Sequence, residues 1–525
     1  MRFFSKINQN NLLHNRVLIV FFASLFLLVL IRTAWISDDA AITLRTVLNF
    51  THGFGPTFNI DERVQAYTHP LWFLLLSVGS FILGNVFYTT FFLSIFISVA
   101  TLIFLLGTQP RNLLALVLVG TAAVLSKSFV DFSTSGLENT LSHLILLIAV
   151  VYASLCLDKG KNRLTGFFLS CSALYLNRPD LLLIMLPMAI YLFYTAYRKP
   201  EHHVWKSILI ASIPVVLWTG FSIFYYGFPF PNTAYAKLGT GIDLDERVVQ
   251  GLIYILHVII QDPITAFFIM AGIIIGIFSS VLNRWLSIGI ILYLVYILSI
   301  GGDFMMGRFL SAPFFVSLII IARESFSKLI AITLMVSIIV LGSRNIIPNF
   351  ISGSSYSNQA ISIYGVADER GYYYQRFGLL AATKNTFKQP QWFIYNEKVE
   401  TICGELGFNS IRHGPGMHYI DTCALADPLL ARLPAKYDPN WRIGHFYRQL
   451  PTNYQESLEK NKNLLADENT KKYWDSIRIV TRDGLFNKNR LFEIIKLNFG
   501  FIEKPDYDMY RYHNVKNKIN GELEY

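Results

Sequence analysis

The sequence has few charged residues for its length. Only 15% of its 525 residues are Asp, Glu, Lys or Arg, and 53% are hydrophobic, whereas about 25% of a soluble protein is charged. This shortage excludes a large soluble enzyme. The net charge of +10 comes largely from Lys and Arg in short gaps between apolar runs, which is the positive-inside pattern and does not indicate nucleic-acid binding. The composition predicts a polytopic α-helical membrane protein.

Several motifs with known chemistry are absent. The sequence has no glycine-rich Walker loop, which argues against ATP-driven transport, and no CxxC or HExxH pattern that would hold zinc. It also lacks the Gly-x-Ser-x-Gly elbow of acyl hydrolases. There are only four cysteines. Cys156 and Cys171 fall in apolar runs, while Cys403 and Cys423 fall in the polar C-terminal third and could form a disulfide if that third is extracytoplasmic.

The apolar runs predict about eleven transmembrane helices, with a cytoplasmic N-terminus and an extracytoplasmic C-terminus. The first run, 17–35, has no small-residue cleavage site and is interpreted as a retained span followed by an extracytoplasmic loop at residues 37–69. We interpret 70–83 as a partial or re-entrant helix and 86–106 as a full span, because the alternation of cationic gaps requires an odd number of crossings here.

The composition changes near Ser343, where charged, Asn, Gly and Tyr residues become frequent. We therefore predict a transmembrane catalytic domain at 1–342 and a soluble extracytoplasmic α/β domain at 343–525. Within the latter, 392–395 and 477–480 resemble strands, and 424–433 and 454–466 resemble helices. The predicted location is the inner membrane of a bacterium, with the C-terminal domain in the periplasm.

Two adjacent carboxylates, Asp38 and Asp39, follow the first apolar run directly. In a partly desolvated setting such a pair can raise one pKa, coordinate a cation or act as a base. The alternative is that the pair caps the helix predicted to begin near Ala40, because Asp is a favoured N-cap residue.

Other ionisable residues also fall in gaps assigned to the outer face. Each is costly at the edge of a span unless it is paired or hydrated, so each is a functional candidate. Arg178, Lys237 and Arg308 have the chemistry to hold a phosphate. The remaining candidates for contacts with a sugar or an acceptor are Arg45, Glu62, Arg63, Tyr67, His69, Glu138, Asp180, Asn232, Tyr235 and Asp303. Such a set suits transfer of a sugar from a lipid phosphate.

The chain resembles a known family at a series of short motifs. These are residues 37–40 with Arg45 and Asn49, 62–72, 135–138, 177–180, 231–237, 301–303 with 307–309, 420–421, 425–434 and 441–445. In their order and spacing they resemble the GT-C superfamily of polyprenyl-phosphate-dependent glycosyltransferases. Within it, they are similar to the arabinofuranosyltransferases that include the terminal arabinan enzyme of the mycobacterial cell wall and pilin-modifying enzymes of Gram-negative bacteria.

The resemblance implies a GT-C-like membrane fold and a glycosyltransferase that moves D-arabinofuranose from a polyprenyl-phosphate donor to an envelope glycan or a pilin-like glycoprotein. It implies that Asp39 is the principal catalytic carboxylate and that Asp38 orients it, binds the acceptor or holds a cation. No cofactor is implied with certainty. A divalent cation, if used, would be held by Asp38 and Asp39. Three alternatives remain: a GT-C transferase that uses lipid-linked mannose, glucose or aminoarabinose, a transporter of lipid-linked sugars, and a structural membrane protein with a periplasmic interaction domain.

Overall fold

The computed structural model describes residues 9–157, 163–198, 203–342, 361–383, 385–395 and 397–512. The predicted cytoplasmic residues 1–8, and 343–360 and 513–525 of the predicted C-terminal domain, lie outside this description. Along the chain to residue 226 the α-helices are α1 (Gln9–Thr33), α2 (Asp38–Thr51), α3 (Pro70–Leu83), α4 (Val86–Thr108), α5 (Leu113–Leu125), α6 (Lys127–Phe132), α7 (Asn139–Leu157), α8 (Leu164–Asn177), α9 (Leu182–Tyr197) and α10 (Val204–Tyr226).

The remaining elements are shorter towards the C-terminus. They are α11 (Asn232–Leu238), α12 (Leu244–Gln261), α13 (Pro263–Ile277), α14 (Val281–Ile300), α15 (Ser311–Ala322), α16 (Lys328–Gly342), α17 (Glu369–Phe377), β1 (Lys398–Ile402), α18 (Leu406–His413), β2 (Met417–Asp421), α19 (Tyr454–Glu459), α20 (Glu468–Arg482), α21 (Lys488–Asn498) and α22 (Tyr507–Arg511). The strands pair in parallel, from Lys398 opposite Met417 to Ile402 opposite Asp421.

Six of the described helices are long and apolar enough to cross a membrane, and a seventh span results if α12 and α13, bent by 110°, are counted together. The six segments are Asn15–Thr33, Val86–Thr108, Asn139–Leu157, Pro179–Tyr197, Val204–Tyr226 and Val281–Ile300. A mostly helical multi-span protein is therefore confirmed, but the predicted count of about eleven is not. Helices such as α5 and α15 are apolar but shorter than the roughly 20 residues that a full crossing needs.

Helix α3 has the expected bounds, and α4 begins at the expected Val86 but ends at Thr108, two residues beyond the predicted end. Pro70 occupies the first turn of α3, where its missing N–H costs nothing. Gly84 ends α3 in the left-handed region with φ 70° and donates its N–H to the Ser80 carbonyl. These local signals separate α3 from α4, so the apolar stretch from 70 to 108 becomes one short helix and one long one.

The chain divides into two compact units, each built from three separate segments. The first contains residues 1–37, 90–213 and 247–387, and the second contains 38–89, 214–246 and 388–525. In the first unit α9 packs on α14, α7 on α8, and α13 on α15. In the second, α2 packs on α18 and α20 on α21, and a buried core gathers around Ile420, Leu430 and Trp474. The predicted domains, 1–342 and 343–525, were expected to fold independently. The division into compact units does not test that prediction.

Three local predictions in the C-terminal region are wrong and one is partly right. Residues 392–395 are irregular, 477–480 lie inside α20, and 424–433 form loop with one short 3-10 turn. The helix predicted over 454–466 is limited to α19. The α/β character comes instead from β1, α18 and β2.

A disulfide joins Cys403, which follows β1, to Cys423, which follows β2, with Cα atoms 5.3 Å apart. The bond closes a loop across the β1–α18–β2 segment, with the two residues separated by 20 positions. Closing a loop of this length stabilises a fold by about 3 kcal/mol, chiefly by restricting the unfolded chain.

Replacing both Cys403 and Cys423 by Ser is therefore expected to lower the free energy of unfolding by about 3 kcal/mol. The measurement is thermal unfolding of the purified chain with and without a thiol reductant. Reductant should bring the wild type to the melting temperature of the double variant and leave that variant unchanged. A matched variant with Cys156→Ser and Cys171→Ser, which removes two free cysteines, should keep the response to reductant.

Candidate active site

Asp38 anchors a distant helix. Its Oδ2 accepts a hydrogen bond from Gly407 N at 3.0 Å and its Oδ1 accepts one from Phe408 N at 2.8 Å, so both oxygens meet the first turn of α18. Burial raises the pKa of Asp38 to about 7, while the two N–H groups act in the opposite direction. Asp38 thus caps α18, far along the chain. The predicted cap was for the helix near Ala40, which begins at Asp38 itself.

Asp39 has a different environment. Its side chain is partly exposed, and its charge acts on the imidazole of His445. Burial lowers the pKa of His445, Arg442 and Lys237 lower it further, and Asp39 opposes them without reversing the shift. His445 is therefore neutral at neutral pH. We refer to Asp39, Lys237, Arg442 and His445 as the Asp39 cluster.

A tight turn positions Arg442 and His445, the two members of the Asp39 cluster that were not predicted as site residues. His445 N donates to the Arg442 carbonyl at 3.1 Å, and Gly444 between them has φ 78°, a conformation that favours glycine. Residues 441–445 carry part of the family resemblance, which was the available signal for Arg442 and His445. Lys237, on the last turn of α11, is exposed.

The surroundings of Arg45 differ from those expected for a side chain that contacts a ligand. Its guanidinium is fully buried and donates to the carbonyls of Phe58 (2.8 Å), Gly414 (3.0 Å), Met417 (2.8 Å) and Ser410. It also lies over the rings of Phe58 and Tyr419. Four of its five N–H groups are thus used to join α2 to the segment around α18, which supports a structural role.

Asn232 and Tyr235 of α11 hold the loop that follows β2. Asn232 Nδ2 donates to the carbonyls of Ala424, Leu425 and Asp427 at 3.1, 3.2 and 2.9 Å, and Oδ1 accepts from Arg432. The Arg432 guanidinium lies 4.5 Å from the ring centroid of Tyr235.

Three further candidates from the first loop are also engaged within the second unit. Arg63 donates to the carbonyls of Val480 and Asp483 at the end of α20. The hydroxyl of Tyr67 lies 2.9 Å from that of Tyr226, and His69 Nε2 lies 2.9 Å from Thr43 Oγ1. Tyr67 and His69 are both buried.

Glu62 belongs to a charged network with Asp61, His418 and Arg482. The guanidinium of Arg482 lies 2.9 Å from Asp61 Oδ2 and 3.2 Å from Glu62 Oε2, and His418 Nδ1 lies 2.8 Å from Asp61 Oδ1. Burial acts to lower the pKa of His418, but the charges of Asp61 and Glu62 outweigh it and raise that pKa.

This network borders an open cavity of about 330 Å³ in the second unit. Its polar lining includes Asp61, Glu397, Lys398, His418 and Glu459. The volume is at the lower end of the range for small-molecule sites.

The remaining predicted residues form a second cluster, inside the first unit. Glu138 Oε1 lies 3.3 Å from Arg308 Nη2 and 3.7 Å from Arg178 Nε. Arg178 Nε also lies 3.2 Å from both oxygens of Asp180, and Arg308 Nη1 lies 3.9 Å from Asp303. The structure therefore brings together two of the three residues predicted to bind phosphate, while Lys237 belongs to the other unit.

Arg178 has one buried donor that is not used. Its Nη1 has no hydrogen-bond acceptor among the described residues, although Nη2 donates to Tyr293 and the guanidinium lies over Phe309. An unsatisfied buried donor is costly unless a ligand or water completes it.

Within the described ranges, no three or more His, Cys, Asp or Glu side chains are arranged to hold a metal ion. Of the predicted cation-binding pair, Asp38 uses both carboxylate oxygens on backbone N–H groups.

Two characterised proteins are similar to this chain. The terminal β-(1→2)-arabinofuranosyltransferase of Corynebacterium glutamicum is 28% identical over 337 residues, which are 54% of this chain and 47% of that protein. The enzyme of the same name from Mycobacterium tuberculosis is 32% identical over 242 residues, 42% of this chain and 37% of that protein. The chain is similar to terminal arabinofuranosyltransferases. The resemblance predicted from the motifs is thus confirmed, and the matches span less than half of either relative.

No protein-family model matches the sequence. Among solved structures, the Archaeoglobus fulgidus oligosaccharyltransferase tethered to an acceptor peptide has a TM-score of 0.43 and 12% identity, covering 78% of this chain and 64% of that one. Its apo form has a TM-score of 0.42 at the same identity and coverage.

Arg45→Met is expected to destabilise the second unit by more than about 3 kcal/mol, because several buried carbonyls lose their donor at about 1–3 kcal/mol each. Arg412→Met, which changes an exposed arginine of α18, should alter stability by less than about 0.5 kcal/mol. Thermal unfolding of both variants in one detergent measures the difference. Equal effects would contradict the structural role of Arg45.

The Asp61–His418 pair predicts a pH dependence of stability. Because the folded-state pKa of His418 is raised above the ordinary 6.5, its contribution is complete below pH 6.5 and is lost as pH rises through the folded-state value. The melting temperature should therefore fall over that interval, and His418→Gln should flatten the fall. His52→Gln, at an exposed histidine of the first loop, is the matched control. An unchanged pH profile in His418→Gln would reject the pair as its source.

Proposed function

We propose that this protein is a membrane glycosyltransferase that moves a sugar, D-arabinofuranose, from a polyprenyl-phosphate donor to an envelope glycan or a pilin-like glycoprotein at the extracytoplasmic face of a bacterial inner membrane. The similarity to two terminal arabinofuranosyltransferases supports the class of reaction and the sugar. The observation that carries the assignment of the site is the division of the carboxylate pair. Asp38 is committed to α18, whereas Asp39 is partly exposed and lies in a polar cluster.

In this proposal Asp39 accepts the proton of the acceptor hydroxyl while the bond between the sugar and the phosphate breaks. The acceptor oxygen takes the sugar, and the phosphate leaves on its lipid. Lys237 and Arg442 act on the same imidazole as Asp39, and a positioned carboxylate can serve as a general base. His445, neutral at neutral pH, can donate a hydrogen bond to Asp39 and so orient it. Asp38 fixes the start of α2 and thereby the position of Asp39.

Arg178 and Arg308 are proposed to bind the donor phosphate. Lys237, the third predicted phosphate-binding residue, lies in the second unit in the Asp39 cluster. The support is the unused Nη1 donor of Arg178 and the fit between guanidinium groups and phosphate oxygens. Glu138 lies between the two arginines, and Asp180 holds Arg178. These carboxylates would keep two buried cations in place before the donor arrives.

The acceptor is proposed to bind the second unit, at the cavity beside Asp61 and His418. Its mixed polar lining offers donors and acceptors for sugar hydroxyls, and Glu62 stiffens one wall through Arg482. Asp303, paired with Arg308, is a further candidate for contact with the donor sugar.

Asp39→Asn is expected to reduce sugar transfer by at least about 100-fold, because an amide cannot take the proton of the acceptor hydroxyl. Membranes that contain equal amounts of folded variant and wild type are supplied with radiolabelled polyprenyl-phosphate arabinofuranose and crude envelope acceptor. Asp475→Asn, at an exposed position of α20, controls for loss of one surface charge and should transfer like the wild type.

Equal transfer by Asp39→Asn and wild type would remove Asp39 from the mechanism. If the wild type transfers no arabinofuranose, mannose, glucose and aminoarabinose donors are tested in the same membranes. Transfer from one of these would reject arabinofuranose and keep the enzyme class, whereas transfer from none would reject the proposed activity.

A further inference from the structure

Helix α21 has one face that is packed inside the second unit. Ile494 is buried against Val480 and Phe228, and Leu497 packs against the same group. Arg490 is fully buried and donates to the carbonyl of Val480 at 2.8 Å. This face gives the helix a fixed orientation, so the residues on its opposite side point away from the core.

The opposite face of α21 is also apolar. Together with the turns before and after the helix, it exposes six large hydrophobic side chains, which we call the aromatic face: Phe486 (83%), Leu491 (43%), Phe492 (60%), Ile495 (49%), Phe499 (73%) and Phe501 (73%). A helix at the surface of a soluble domain carries polar residues on this side. Six neighbouring exposed hydrophobic residues indicate a surface that meets lipid or another macromolecule.

The position of α21 decides between these partners, because α21 is joined to the end of a span. Arg490 Nη2 donates to the carbonyl of Tyr225 at 2.9 Å, and Asn498 Nδ2 donates to that of Gly227 at 2.8 Å. These carbonyls lie at the C-terminal end of α10, a 23-residue apolar helix. Only 17% of its membrane-spanning segment is buried in the structure. The ring of Phe224 in α10 lies 5.5 Å from that of Phe486, so the exposed surface of the span continues into the aromatic face.

We infer that α21 is an interfacial helix whose aromatic face inserts into the bilayer surface at the end of α10. The charges around it fit this position. Residues 484–504 contain four cations and two anions, and Lys488 and Lys504 are exposed, as suits contact with anionic headgroups. The Lys496 ammonium lies 4.6 Å from the ring centroid of Phe492, and its long stem can carry the charge from the apolar side to the headgroups.

The test uses the full chain in vesicles of phosphatidylethanolamine and phosphatidylglycerol. The free cysteines are first removed by Cys156→Ser and Cys171→Ser. A nitroxide is then attached to Phe492→Cys or Phe499→Cys. The matched control is Asp475→Cys, at an exposed position of α20. Collision rates with oxygen, which partitions into lipid, and with a water-soluble nickel chelate are then compared. We expect an oxygen-to-nickel ratio above one at 492 and 499 and below one at 475.

A ratio below one at 492 and 499 would overturn the inference, because the face would then lie in water. Exclusion of both reagents together with spin–spin broadening would overturn it in favour of contact with a second copy. Because a label at 492 could disturb α21, the same measurement at Phe501→Cys, beyond the end of the helix, gives an independent result. A melting temperature close to that of the unlabelled chain establishes that each labelled variant is folded.

Discussion

Buried charged groups bonded to the backbone hold the second unit together. The described residues of this unit form one two-stranded sheet and mostly short helices, so many buried N–H and C=O groups in its loops lack partners from regular secondary structure. Arg45 and Arg448 supply donors to carbonyls, and Asp421 and Asp427 accept from the N–H groups of the residues that follow them. Irregular backbone therefore keeps a defined shape, at the cost of taking several charges out of water.

The same constraint explains how two neighbouring carboxylates acquire different roles. Asp38 and Asp39 are adjacent on a helical turn, so their side chains point in directions about 100° apart. One direction leads to the N–H groups of α18, and the other leads to a partly exposed cluster with Lys237 and His445. A side chain fixed by two backbone bonds holds its neighbour in place, and a proton acceptor needs such a defined position. In the proposed mechanism Asp38 is the anchor and Asp39 is the reactive group.

Local sequence signals, such as a proline or a glycine at a helix end, predicted the features that depend on local interactions. The bounds of α3 follow from Pro70 and Gly84, and the sequence placed Glu138, Arg178 and Arg308 among the ionisable residues of the outer gaps, which the structure gathers in one cluster. Long-range contacts were not predictable in this way. Residues 477–480 look like a strand by composition, but Tyr473, Trp474, Ile477, Val480 and Thr481 are buried at helical spacing, and this periodicity dominates in α20. The contacts of Arg45 were not predicted, because sequence spacing does not reveal that it meets carbonyls more than 360 residues away.

Composition also marked the apolar runs without indicating which apolar surfaces face lipid. The segment that contains α21 is too polar to be counted as a span, since Lys488, Arg490, Glu493 and Lys496 all lie within its eleven residues. Only the fold reveals that Arg490 is turned inward to the carbonyls of α10 and the core, while Phe492 and Ile495 are turned outward. A charged residue thus acts as the attachment of the helix, and hydrophobic residues form its exposed face. This inversion of the usual arrangement is stable where the medium beyond the helix is lipid, because water would penalise the exposed apolar area.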